Sequence, residues 1–306
     1  MPLALIVEQL LNGLQLGLML FLLAAGLTLV FGIMDTINLA HGSLYMIGAY
    51  LAATVTEAAG SFLIGILAAV IGTAAIGAAL EIALFRSLYR RSHLTQVLAT
   101  FALILIANEL VRIVWGSQPI SLNMPASLSG PIEPVAGFRY PAYRLVVIVA
   151  GIAVGLLLYV GVTNTRVGMW VRAAASDREM ASAMGVRTSR LFTFVFAAGA
   201  GLCAVAGALL GPLLAVQVGM GENILILAFV VIVIGGIGSV RGALVGSLLI
   251  GIVDTAGRAF LPALFRVLFP PAISSEAGPA LASILIYVLM ASVLFFRPRG
   301  LFPARG

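Results

Sequence analysis

Nine apolar runs recur along this chain with little between them: Leu3 to Phe31, Ser43 to Val55, Phe62 to Phe85, Leu94 to Trp115, Arg144 to Val162, Leu191 to Ala215, Ile224 to Ile237, Ala243 to Leu261 and Pro279 to Phe296. Most are near the roughly 20 residues a helix needs to cross about 30 Å of hydrocarbon, so the pattern places the chain in a bilayer. Composition agrees. Of 306 residues, 62% are hydrophobic and 9% charged, too few charges to cover a water-soluble core of that size.

In lipid, backbone groups must be satisfied within a helix or a closed barrel, and the runs lack the alternation of barrel strands. The chain is therefore expected to be an all-α polytopic membrane protein, with residues 1–306 forming one transmembrane domain of eight or nine crossings. Ser43 to Val55 and Ile224 to Ile237 are short, which marks them as candidates for broken or re-entrant segments. The first run is too long for a cleavable signal, and its one charge is Glu8 where a signal would carry a basic region.

All 17 basic side chains are arginine. On this segmentation twelve fall on one side: Arg86, Arg90, Arg91, Arg166, Arg172, Arg178, Arg187, Arg190, Arg241, Arg297, Arg299 and Arg305. The positive-inside rule makes that side cytoplasmic, and the C-terminus with it. Residues 1–85 carry no basic residue, so the N-terminal side follows from parity: outside for nine crossings, inside for eight. The net charge of +6 reflects the inner-leaflet bias and requires no nucleic-acid partner.

Several chemistries are disfavoured by what the chain lacks. Without lysine there is no Walker A motif, so the chain is not expected to hydrolyse ATP by itself. His41 and His93 are the only histidines, and neither HExxH nor CxxC occurs, so no metal and no other cofactor is expected. Cys203, the single cysteine, has no disulfide partner and reads as a packing residue. An intramembrane hydrolase would need more than His41 close to Ser43, and no G-x-S-x-G is present. An ion-coupled secondary transporter normally carries coupling carboxylates at mid-membrane, and only Asp35, Glu81 and Asp254 come near that depth.

Charge nevertheless concentrates in RAAASDREMASAMGVRTSR, Arg172 to Arg190. Ser176-Asp177-Arg178-Glu179 has capping-box spacing, Asp177 and Glu179 suit the positive end of a helix, and Gly185 stands where a left-handed residue would end it. The pattern predicts a short helix over 177–184 inside a cytoplasmic loop of 165–190, with Thr188 or Ser189 capping the next span. Met180 and Met184 share a face, with Ala181 and Ala183 beside them, small and soft enough to enter a groove on another protein. The alternative is a capped surface helix without a partner.

Phe31 to Gly42 interrupts its apolar surroundings with Gly32, Asp35, Asn38, His41 and Gly42, as a broken helix must if its backbone is to line a cavity. Asn38 and His41, with Ser43, are the candidates for a solute pathway. A histidine here equally suits hydrogen bonds that hold the break together, and Asp35 suits a cap at the interface. Gly235, Gly236 and Gly238 with Ser239 form a second flexible re-entry, which adds Gly236 to the pathway candidates and leaves Arg241 to fix its cytoplasmic end.

The remaining patterns point to packing. Gly199-Cys203-Gly207-Gly211, Gly242-Gly246 and Ser247-Gly251 place small residues every fourth position, the spacing of close helix contacts. Glu109 with Arg112 and Asp254 with Arg258 are spaced to form structural ion pairs. Gly116 to Pro141 is a long, proline-rich, outward-facing loop expected to be ordered but non-helical, and Arg258 to Pro279 is expected as its shorter counterpart.

Three stretches together resemble one family. Arg172 to Leu209 is similar to the cytoplasmic coupling loop and following span of ABC importer permeases of the branched-chain amino acid (LivH-type) group, through Ala173 to Ala175, Asp177, Ala181, Gly185 and Ala204 to Gly207. GLTLVFGIMDTINLAHGSLYMIGAY, Gly26 to Tyr50, resembles the group's first-span signature, with N-x-A-H-G at Asn38 to Gly42. VIGGIGSVRGALVGSLLIGIVD, Val233 to Asp254, resembles its G-G-x-G-S segment. The resemblance implies a multi-pass permease subunit of the bacterial inner membrane with no reaction centre of its own. Its implied partners are a second permease, identical or paralogous, two cytoplasmic ABC ATPase subunits, a periplasmic substrate-binding protein at the outward loops, and membrane lipid. The ATPases would push on the helix bearing Asp177, Glu179, Met180, Ala181, Met184 and Gly185. Leucine, isoleucine and valine are the expected solutes; urea, amides and aromatic acids are the alternatives that similar permeases serve.

Overall fold

Every apolar run folds as a helix. The computed structural model describes the backbone of residues 3–302 apart from 37, 90, 136–137 and 269–270, so Arg90 and Arg305 lie outside the described residues. The membrane helices are α1 (Leu3–Met34), α2 (His41–Ala59), α3 (Phe62–Leu88, with a π turn at Glu81–Phe85), α4 (His93–Trp115) and α5 (Ala142–Asn164). Two short helices follow, α6 (Arg166–Ser176) and α7 (Arg178–Ala183), and then α8 (Thr188–Leu210), α9 (Met220–Gly235), α10 (Val240–Leu268) and α11 (Pro271–Phe296). Six of them, α1, α3, α4, α5, α8 and α10, are long and apolar enough to cross a bilayer; α9 and Ala280–Phe296 are shorter apolar helices.

α1 is the axis of the bundle. Leu20, Leu22, Leu23, Ala24, Ala25 and Val30 are fully buried, and α1 packs on α10, α8, α5 and α9. Such burial in an all-apolar helix needs close approach, which glycine supplies. A Cβ on Gly26 would stand 2.9 Å from the Gly199 carbonyl oxygen of α8, and one on Gly17 2.9 Å from the Ser247 carbonyl oxygen of α10. Gly199, Gly207, Gly242 and Gly251 all meet backbone of a neighbouring helix, so the every-fourth-residue pattern is one of packing. α4 and α5 instead keep Leu94, Leu98, Ile113, Val149 and Leu157 exposed, the face of a helix turned to lipid.

Met34 and Asp35 line the same cavity as Arg172, Arg178 and Arg241, so α1 runs towards the arginine-rich end and the chain starts at the opposite one. The loop from Gly116 to Pro141 holds a hairpin of β1 (Pro131–Val135) and β2 (Phe138–Pro141), pairing Ile132 with Tyr140 and tied by a 2.7 Å Arg139–Glu133 ion pair. Its Ile120 bridges to Val216 ahead of α9. The shorter counterpart predicted over Arg258 to Pro279 is not a loop: α10 continues through Arg258 and Pro262 to Leu268, and α11 begins at Pro271. A proline is tolerated inside a membrane helix because neighbouring groups re-satisfy the freed backbone.

Candidate functional site

α1 ends in Asp35 at φ 50°, a left-handed conformation that a short polar side chain tolerates. Thr36 and Asn38 are non-helical, Leu39 and Ala40 form a turn, and α2 starts at His41, whose Nε2 lies 3.0 Å from Cys203 Sγ on α8. The same nitrogen would lie 3.0 Å from a Cβ on Gly26, eight residues or about 12 Å back along α1 from Met34. The chain thus folds back into the bundle, turning at Leu39–Ala40, and α2 begins well inside it. α9 also begins there, because Gly221 meets Gly42 backbone to backbone, following Gly219 at φ 84°. Both runs singled out as short start at this junction, and neither helix N-terminus has a side-chain cap.

Asn38, His41 and Ser43 are brought together here. Asn38 is fully buried, with neither Oδ1 nor Nδ2 given a hydrogen-bond partner, and the Thr36 hydroxyl is in the same position. Gly236 is elsewhere. It lies fifteen residues along from Gly221, about 22 Å down α9, at φ 106°. There the C-terminal tail clamps it: Leu301 N–H donates to the Ile234 carbonyl at 2.8 Å and Phe302 N–H to that of Gly235 at 2.9 Å. A cavity of about 1100 Å³ opens at this arginine-rich end, lined by Asp35, Arg172, Arg178, Ser239 and Arg241, and neither Asn38 nor His41 reaches it.

The charged loop is a helix–helix corner. Thr165 Oγ1 caps α6 by accepting from Gly168 N–H at 3.0 Å, and α6 buries Val171 and Ala174. Ser176 is the last residue of α6, so it does not cap α7; Asp177 does, in extended backbone, with Oδ1 accepting from Met180 N–H at 2.9 Å. Gly185, at φ 89°, closes the helix: its N–H donates to the Ser182 carbonyl at 3.0 Å and that of Val186 to Ala181 at 3.1 Å, a Schellman closure. α8 then starts after Arg187 with no side-chain cap, so neither Thr188 nor Ser189 supplies one. Met180 and Met184 are 59% and 79% exposed, whereas Ala181 is 5% exposed and belongs to the face resting on its own scaffold. Glu179 is exposed.

A network that sequence spacing missed joins α7 to the spans. The Arg178 guanidinium lies 4.5 Å from the Phe192 ring centre on α8 and 5.8 Å from that of Tyr89. Tyr89 OH donates to Glu81 Oε1 at 3.1 Å and lies 3.3 Å from Met34 Sδ at the end of α1. Glu81, fully buried, also accepts from Thr193 Oγ1 at 2.6 Å and pairs with Arg86 at 3.2 Å. Burial, and then the Glu81 carboxylate, hold the Tyr89 phenol above its usual value, so it remains a donor. Glu81 thus ties α3 to Tyr89 and to Thr193 on α8. The two expected ion pairs form, Glu109–Arg112 at 2.9 Å and Asp254–Arg258 at 2.8 Å.

A sequence profile for the branched-chain amino acid transport system permease component matches residues 9–294. The chain belongs to that permease family. It is 30% identical over 279 residues to the high-affinity branched-chain amino acid transport system permease protein LivH of Salmonella typhimurium, covering 85% of this chain and 88% of that one. To BraD of Pseudomonas aeruginosa, a permease of the same description, it is 29% identical over 306 residues, 96% of this chain and 94% of that one. The fructose import permease FrcC of Rhizobium meliloti matches over 153 residues at 34%, 48% of this chain and 41% of that one. No solved structure gives a significant match. In this permease the broken segment, the α7 corner and Gly235–Gly236 fall within the region the family shares, whereas Leu301 and Phe302, which clamp that glycine pair, lie beyond it.

Proposed function

We propose that this permease carries a branched-chain amino acid across the bacterial inner membrane, driven by two ABC ATPase subunits docked on α7. Relatives matched over most of their length are branched-chain amino acid permeases, and FrcC matches over less than half of either chain. The observation that carries the docking role is the Met180–Met184 face, exposed on a helix whose ends are capped and whose inner face is seated. A solvated helix has no use for such a face; a groove on a partner has.

In this reading the arginine-rich end and the C-terminus are cytoplasmic. A periplasmic binding protein delivers solute at the outward hairpin, and a second permease completes the membrane unit. Closure of the ATPases moves α7. Arg178 passes that displacement through Phe192 and Tyr89 to Met34, where α1 gives way to the broken segment. Asn38, His41 and Ser43 then become accessible to solute, while Gly236 stays at the clamped lower end of α9. ATP is hydrolysed on the separate subunits.

The test is Met184→Asp. A charge forced into a desolvated groove costs about 3 kcal/mol or more, which is over a hundredfold in affinity. The variant is expected to insert normally and lose its ATPase subunits on purification. Retention at wild-type stoichiometry with normal uptake would show α7 to be only a capped loop.

A further inference from the structure

We propose that Glu222, held by Asn108, recognises the ammonium group of the transported amino acid on a water-lined face of α9. The inference rests on the amino-acid reading above and deepens it. Asn108 Nδ2 on α4 donates to Glu222 Oε1 at 2.6 Å, in the first turn of α9, and Glu222 is exposed.

Two rulers give its depth. Asn108 lies seven residues before Trp115, about 10 Å inside the outer end of α4. Glu222 lies thirteen residues before Gly235, about 20 Å from the clamped arginine-rich end, which again leaves about 10 Å of a hydrocarbon layer of about 30 Å. An exposed carboxylate at that depth does not face acyl chains without a large desolvation cost. Nor is it neutralised. Among the described residues Glu222 forms no ion pair, and the nearby Glu109 engages Arg112. An amide donor orients a carboxylate while leaving its charge available to a cation.

Below Glu222 the same face of α9 continues with Ile226, Phe229 and Val233, at the i+4, i+7 and i+11 positions. Ile226 is exposed and the other two are half-buried. A fixed carboxylate above an apolar stripe matches an ammonium group carried next to an aliphatic side chain. The position also touches the junction, since Gly221, one residue earlier, meets Gly42. A solute held by Glu222 therefore lies beside the broken segment.

The experiment uses the complete complex, with ATPases and binding protein, in proteoliposomes and L-leucine as the probe. Glu222→Gln is expected to lower uptake about ten- to a hundredfold, the loss of one charged hydrogen bond, with ATPase subunits bound at wild-type stoichiometry. Glu222→Asp recovers part of the uptake. Glu222→Cys reacts with a membrane-impermeant methanethiosulfonate, read on the permease band, where the one native cysteine, Cys203, is buried. Uptake by Glu222→Gln at the wild-type rate overturns the recognition role. A Glu222→Cys inert in every nucleotide state overturns the water-lined face and assigns it to lipid or a partner permease. A wild-type complex that moves no amino acid overturns the underlying reading and this inference with it, whereas leucine uptake indifferent to Glu222 overturns this inference alone.

Discussion

The junction at residues 35–42 and the corner at 165–190 leave opposite kinds of group unsatisfied. At the junction polar atoms are buried without partners, the Asn38 amide and the Thr36 hydroxyl among them. At the corner the polar ends are met, by Asp177, Thr165 and the Gly185 closure, and what lacks a partner is apolar: Met180 and Met184 stand in the open. A buried unpaired amide costs about 1–3 kcal/mol, and leaving a methionine exposed forfeits about 1.5–3 kcal/mol of burial. Each region is less stable than its sequence would allow, for want of a different partner. On the proposed reading the junction would gain from water or solute and so open, whereas the corner would gain from protein and so dock without changing shape.

The largest expected effect falls on what joins the two regions. Glu81→Ala removes the shared anchor of Tyr89, Thr193 and Arg86. Arg86 is 40% exposed and keeps its hydration, so the loss is about 2–3 kcal/mol, read as a lowered thermal midpoint in detergent. An unchanged midpoint would mean that the corner and the spans are held together by something else.

Asn38→Leu sharpens the contrast at the junction. Leucine nearly matches asparagine in shape and has no polar atoms to satisfy, so the closed state should gain about 1–2 kcal/mol while uptake falls. Destabilisation by that substitution would show that the amide already has a partner, and the two regions would no longer differ as described. At the corner, Gly185→Ala should cost about 1 kcal/mol, because an L side chain is strained at φ 89°. It should weaken ATPase retention modestly in pull-downs and leave the junction untouched.

Much of this was legible because it is local. Apolar runs locate the six long spans and the shorter apolar helices among the described residues, the polar insertions from Gly32 to Gly42 mark the break, and Gly185 announces a helix end. What was not legible depends on neighbours in space. Ser176 and Asp177 are both good caps, and α6 running on to Ser176 decides between them. The Glu81–Arg86 pair, five residues apart, joins across a π turn, a spacing absent from 3.6-residue periodicity. Ala181 looks like part of the methionine face until its own scaffold covers it. Gly236 and Asn38 share a polar, glycine-rich character, and only the length of α9 keeps them apart. The Asn108–Glu222 pair spans 114 residues, beyond the reach of any local rule.

The central claim, that α7 is where the ATPase docks, is tested most directly by photo-crosslinking from a benzoylphenylalanine placed at Met184 in the intact complex. The account predicts an adduct with the combined mass of permease and one ATPase subunit. The same probe at Leu157, exposed on the lipid-facing side of α5, should give none. An assembled, transporting complex that crosslinks from Met184 only to lipid, or not at all, would contradict it.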